Sequence, residues 1–199
     1  MSANRRDLAR SYPEAVKPEK LAHVVIRTAR FAESCAWWAK VLDAKPSYEN
    51  AQLNFMTYDE EHHRIGIISR PDMAEQDFTK AGVEHIAFTY GELGALLATY
   101  QRLKRDEIEP FWCINHGPTI SLYYRDPDGT KVELQYDVFP THEGVQNFFD
   151  SGAYEENFMG IIFDPETMIA DFEAGTPLEQ LVERSPLPAG MSPWEMLRT

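Results

Sequence analysis

Apolar residues fall along the first two-thirds of the chain in short stretches whose period switches between that of a strand and that of a helix. Residues 21–28 (LAHVVIRT) are rich in β-branched side chains and predict a strand. In FAESCAWWAKVLDA, Phe31, Cys35, Trp38, Val41 and Leu42 recur at helical spacing. QLNFMTYD and HRIGIIS then predict two strands separated by an acidic turn, DEEH. The order then repeats. Gly82 precedes a strand, VEHIAFTY, and a helix follows in ELGALLATYQRLKRD, with Leu93, Leu96, Leu97, Tyr100 and Leu103 on one face. Two further strands, TISLYYRD and TKVELQYD, are joined by the turn Asp126–Pro127–Asp128–Gly129.

Each unit reads as a strand, a helix and two or three strands, and the second begins 62 residues after the first, from His23 to His85. The fold class this predicts is α+β: two paired βαβββ modules, over 19–70 and 80–138, within one domain spanning 19–138. Residues 1–18 read as an arm ending at Pro18. Residues 139–199 differ in character, with many aromatics, a helix predicted in DPETMIADFEAG with Pro165 near its start, and a proline-rich end. Roughly 60 residues are too few for a second independent core. This extension is expected to wrap the domain or to pack on another subunit.

Composition narrows the partners. Hydrophobic residues make up 43% and charged residues 26% of 199, as in ordinary globular proteins. The net charge of −13, with no basic patch or helix, speaks against nucleic acid and anionic membrane. No apolar run approaches the ~20 residues that span a bilayer. The charged N-terminus has no apolar core of a signal peptide, which predicts a cytoplasmic protein. Cys35 and Cys113 form no CxxC and read as reduced thiols.

The chemistry rests on histidines. Of six, His23 and His85 occupy the same position of the repeated strand, A-H-V-V-I against E-H-I-A-F. If the modules pair about a pseudo-twofold axis, both imidazoles converge on one cavity. In T-K-V-E-L-Q-Y-D, Glu133 interrupts an apolar run, and a carboxylate facing a sheet interior needs a partner. Taken singly, each histidine is equally a hydrogen-bonded strand residue, and Glu133 equally a solvent-facing one alongside Lys131 and Gln135. Together, His23, His85 and Glu133 make a two-histidine, one-carboxylate set. That set suits Fe(II) and leaves coordination positions for substrate and O2. Laying HRIGIIS on TKVELQY puts Gly66 where Glu133 stands, so module one supplies no fourth ligand.

From residue 21 to 137 the chain resembles the vicinal-oxygen-chelate superfamily, and within it the one-domain type I extradiol dioxygenases. The resemblance rests on LAHVVIRT, EEHHRIGI, GVEHIAFTY and NHGPTISLYYRDPDGTKVELQ. It implies Fe(II), or Mn(II), at His23, His85 and Glu133, with O2 as co-substrate and a small aromatic vicinal diol as substrate. It further implies that His63 is the acid–base histidine and that His116 and Tyr123 bind oxygen and substrate. Two departures stand out: the loop from His116 to Tyr123 is shorter than in two-domain members, and strict strand parity favours His62 over His63. Phe111, Trp112, Tyr124, Phe148 and Phe149 are candidate pocket residues, the tail a candidate lid, and His142 a surface residue. A homo-oligomer, dimeric or larger, is expected from exposed sheet edges and the aromatic tail. The alternatives are a glyoxalase- or epimerase-like metalloenzyme of the same fold and a metal-free small-molecule binder.

Overall fold

A computed structural model describes residues 14–199. Most of the expected arm therefore lies outside the described residues. Those from 14 to 23 run without helix or strand into the first element. Module one comprises β1 (Val24–Thr28), α1 (Phe31–Leu42), β2 (Lys45–Glu49), β3 (Leu53–Thr57) and β4 (Ile65–Ser69). Module two repeats the order with β5 (His85–Tyr90), α2 (Leu93–Arg105), β6 (Trp112–Asn115), β7 (Thr119–Arg125) and β8 (Lys131–Asp137). The extension supplies α3 (His142–Asp150), α4 (Ala153–Glu156), β9 (Ile161–Ile162), α5 (Pro165–Glu173), α6 (Leu178–Leu181) and a 3-10 turn at Pro193–Met196. No helix among the described residues is long and apolar enough to cross a membrane.

The paired α+β modules form two mixed sheets, ordered β1-β4-β3-β2 and β5-β8-β7-β6-β9. In each, the first strand runs parallel to the last of its module, β1 beside β4 and β5 beside β8, and the remaining pairs are antiparallel. Two strands carry little periodic signal: β2 (KPSYE) is exposed throughout, and β6 has four residues. The short β9 joins the second sheet by pairing Ile162 with Ile114 and Ile161 with Asn115, so the extension covers that sheet's edge.

Alternation divides the second sheet into two faces. Ile120, Leu122, Tyr124, Val132 and Leu134 point under the helices into the main core, where Trp38, Val41, Leu96 and Leu103 are also fully buried. Tyr124, a candidate pocket residue by sequence, is thus a core residue. Its neighbour Tyr123 points the other way, into a smaller cluster with Trp112, Ile114 and Met196.

The modules are joined by side chains of α1 and of its N-cap, Arg30, that reach the β7–β8 turn. Trp38 Nε1 donates to Asp126 Oδ2 at 3.2 Å, Ser34 Oγ to Asp128 Oδ2 at 3.2 Å, and Arg30 Nη1 to the Pro127 carbonyl at 3.0 Å. Asp126 Oδ1 also accepts from the backbone N–H groups of Asp128 and Thr130, at 3.0 and 2.8 Å. Burial pushes its carboxyl up from the ordinary value, against the three donors Trp38, Asp128 and Thr130. On the far side, Arg102 of α2 donates to the last carbonyls of α1, Lys40 (2.6 Å) and Val41 (3.3 Å). Asp126→Ala leaves the buried Trp38 indole N–H unpaired, so a loss of about 1–3 kcal/mol is expected. Urea unfolding measures it, and an unchanged midpoint would mean that the turn is held without Asp126.

Candidate active site

Module two presents a polar set on the sheet face opposite the helices. The register sets Glu133 of β8 opposite Ala87 of β5 and Tyr123 of β7. His85, two residues before Ala87, shares that face, and its Nε2 lies 3.0 Å from Glu133 Oε2. Glu133 is only 4% exposed. Burial alone would raise its pKa, but the bonds to His85 and to the Ser121 hydroxyl prevail and hold it below the usual carboxylate range. His85 is raised in turn, chiefly by its bond to Glu133. Glu133, which the sequence reading expects to need a partner, pairs with His85.

His116 follows β6 and completes a chain of bonds with Tyr123. Its Nδ1 meets the carbonyl oxygen of Met159 at 2.5 Å, and its Nε2 meets the Tyr123 hydroxyl at 3.1 Å. A carbonyl only accepts, so Nδ1 carries the proton and the neutral ring accepts at Nε2 from the phenol. Burial lowers the pKa of His116, which favours this neutral form, and burial likewise drives the Tyr123 phenol well above its ordinary value. Trp112 stacks on Tyr123 with ring centroids 4.7 Å apart.

Module one presents a second set. His63 lies in the turn before β4, outside the strand, so strand parity does not govern it. Its ring stacks on His23 (4.2 Å between centroids) and on Phe55 (4.5 Å), and it is buried. His62 is exposed, with its Nδ1 2.6 Å from that of His63. Burial, then His23 and His62, lower the pKa of His63. One potential ligand atom each from His23, His62 and His63 lies within 4.8 Å of the others.

The six residues singled out by sequence therefore fall into two groups: His85, Glu133, Tyr123 and His116 on one module, His23 and His63 on the other. The register supports the asymmetry read from the sequence. Val25 pairs with Gly66 as Ala87 pairs with Glu133, and Phe55 stands opposite Gly66 as Tyr123 stands opposite Glu133. A Cβ on Gly66 would lie 3.3 Å from the Phe55 ring, so the missing carboxylate leaves room for the ring that backs His63. Phe55 gave no sequence signal beyond strand alternation, and the Met159 carbonyl, being backbone, gave none. His142 opens α3 on the surface.

Imidazoles and one buried carboxylate are the donor types that a divalent transition metal takes, and Glu133 with His85 already brings two such donors together. The family described as the Glyoxalase/Bleomycin resistance protein/Dioxygenase superfamily matches residues 20–134. Biphenyl-2,3-diol 1,2-dioxygenase 2 of Rhodococcus globerulus is 43% identical over 163 residues, which cover 81% of this chain and 86% of that protein. Biphenyl-2,3-diol 1,2-dioxygenase 3 of the same organism is 38% identical over 168 residues, 83% and 88% of the two chains. A solved glyoxylase/bleomycin resistance protein/dioxygenase domain from Frankia sp. EAN1pec superposes with a TM-score of 0.53 at 18% identity, over 65% of this chain and 99% of that one, a likeness of fold.

The His85–Glu133 pair gives the metal-free chain a defined pH response. Glu133, depressed on folding, contributes stability above the ordinary carboxylate pKa of about 4.3 and loses it as pH falls. His85, raised on folding, contributes below the ordinary imidazole value of about 6.5 and loses it as pH rises through its folded pKa. With chelator present, the stability gap between wild type and Glu133→Gln is expected to be widest between those values and to narrow on both sides. Thermal melts across pH measure it; a flat gap would mean the pair is not ionic in the folded chain.

Proposed function

The chain belongs to the glyoxalase/bleomycin resistance protein/dioxygenase superfamily, and within it we propose a cytoplasmic extradiol dioxygenase that cleaves the ring of an aromatic vicinal diol with O2. The observation that carries this reading is the gathering of His85, buried Glu133, Tyr123 and His116 on one sheet face. The two Rhodococcus relatives, whose names give a biphenyl diol as substrate, support it. Fe(II), with Mn(II) as second choice, would be held by His23, His85 and Glu133. When bound, the metal supplies acidity to the diol hydroxyls and adjacent positions for diol and O2.

The protein's own groups do the rest. His63, whose pKa burial lowers, takes the proton that the diol releases. Its stacking between His23 and Phe55 fixes the ring plane, and its Nδ1 faces His62, which leaves Nε2 for the substrate. The same histidine returns the proton to the oxygen that leaves as the O–O bond breaks. Tyr123, whose O–H donates to His116 Nε2 in the free protein, turns it on diol binding to the oxygen that gains negative charge, with His116 beside it. Trp112 and Phe111 provide aromatic surface beside Tyr123. One ring carbon–carbon bond next to the diol breaks, and both atoms of O2 enter the product. Self-association has room on the exposed β2 strand and around Trp194, which is 63% exposed, and a homo-oligomer is proposed.

Anaerobic purification, loading with Fe(II), and addition of catechol or biphenyl-2,3-diol in air tests the reading. A yellow product with one O2 consumed per diol is expected. An iron-loaded chain that consumes none with several diols would overturn it. For the roles, His63→Ala is expected to keep iron and diol binding while kcat falls by the roughly 10²–10⁴-fold of acid–base catalysis. Unimpaired turnover would transfer the role to His62. Glu133→Ala is expected to lose iron, and a variant still holding one iron per chain would remove Glu133 from the ligand set.

A further inference from the structure

His116 is held from outside its own module. Its N–H donates to the Thr119 carbonyl at 2.9 Å within module two, but its carbonyl and its ring are both held by the extension. Arg184, in the segment after α6, donates through Nη1 to the carbonyl oxygens of His116 (3.1 Å) and Asn157 (2.8 Å), and through Nη2 to that of Ala153 (2.7 Å). One guanidinium thus ties the His116 loop to the segment that carries Met159. A planar fork of donors spans such separated acceptors, which a single ammonium does not.

Asn157 shapes that segment. Its buried side chain accepts from the N–H groups of Met159 (3.2 Å) and Gly160 (2.9 Å) and donates to the Gly160 carbonyl (2.8 Å). These bonds turn the Met159 carbonyl onto His116 Nδ1. Two glycines let the segments approach. At Gly160 (φ +114°) a Cβ would lie 2.4 Å from the Asn115 carbonyl oxygen, and at Gly117 (φ +98°) one would lie 2.3 Å from the Phe148 ring. Arg184 also sits over that ring, 5.0 Å from its centroid.

We propose that Arg184, with Asn157, is a positioning residue for the ring-cleavage site: it fixes the Met159 carbonyl against His116 and so selects the tautomer whose Nε2 accepts from Tyr123. The consequence for turnover rests on the dioxygenase reading; the tautomer selection does not. Without the clamp the proton is free to sit on Nε2, and His116 then competes with Tyr123 as a donor instead of orienting it. The extension is in this way part of the active site: it meets His116 with the Met159 carbonyl and packs Met196 in the Tyr123 cluster.

The test uses Arg184→Leu and the conservative Arg184→Lys in the full chain. Histidine-selective 15N NMR of the metal-free protein reads the tautomer, with His116 assigned by the signals lost in His116→Gln. Wild type is expected to show protonated Nδ1 and bare Nε2. Arg184→Leu is expected to move toward a mixture, and Arg184→Lys to fall between. In the iron-loaded enzymes, kcat for biphenyl-2,3-diol is expected to drop about 10–100-fold, as for other orienting partners, with KM within about twofold and iron still one per chain. A folded Arg184→Leu with wild-type tautomer and wild-type kcat would overturn the proposal, even if its melting temperature were lower, because the residue would then act on stability alone. Should Arg184→Leu fail to fold, Arg184→Lys decides by the same two readouts. If iron-loaded wild type turns over no diol, the dioxygenase reading fails while the NMR comparison still decides the clamp.

Discussion

The structure depends on a joint between two halves that, among the described residues, share no ladder of strand hydrogen bonds. Module one brings His23 and His63, module two brings His85, Glu133, Tyr123 and His116, and polar contacts of α1 with module two, beside the shared core, join them. The indole of Trp38, fully buried, reaches across to Asp126, while Arg102 of α2 caps the last carbonyls of α1. Asp126 is also the residue that closes its own turn by accepting from the Asp128 and Thr130 backbone. The strand carrying Glu133 therefore starts from a turn locked to the other module. A local hydrogen-bond network and the geometry of the site are the same constraint.

Duplication supplied the frame and divergence supplied the chemistry. At matched positions the modules place Gly66 against Glu133 and Phe55 against Tyr123. The polar pair, with His85 and His116, makes one side of the site acceptor-rich and charged. The apolar pair makes the other side a ring stack, Phe55 on His63 on His23. Two copies of one fold thus give sides of different chemical character, a hydrogen-bonded carboxylate pair on one and a ring stack on the other.

Much of this was legible in the sequence because it is periodic. The repeated strand exposed the His23/His85 match, and the apolar run around Glu133 marked a carboxylate in need of a partner. Where period was weak, legibility failed: β2 is all exposed, β6 is four residues, and β9 only two. Tyr124 was offered as a pocket residue on its aromatic character, yet one step along a strand reverses the face, and only Tyr123 looks toward the site. Parity does not apply at His63, because the residue lies outside the strand that alternation describes. Nothing in the sequence marked Met159 or Arg184, since a backbone carbonyl has no residue type and an arginine that binds carbonyls leaves no charge pattern.

The reach of the extension back to β6 has a consequence for how the protein comes into being. Synthesis proceeds from the N-terminus, and domains fold as they emerge. By the time β8 is made, every side chain of both polar groups already exists, but Met159, β9 and Arg184 do not. A ribosome-bound chain at that stage holds an unfinished His116, and only the last third, docking on the edge of the second sheet, completes it. The contacts that hold the His116 ring and carbonyl are thus completed only after residue 184 has been made.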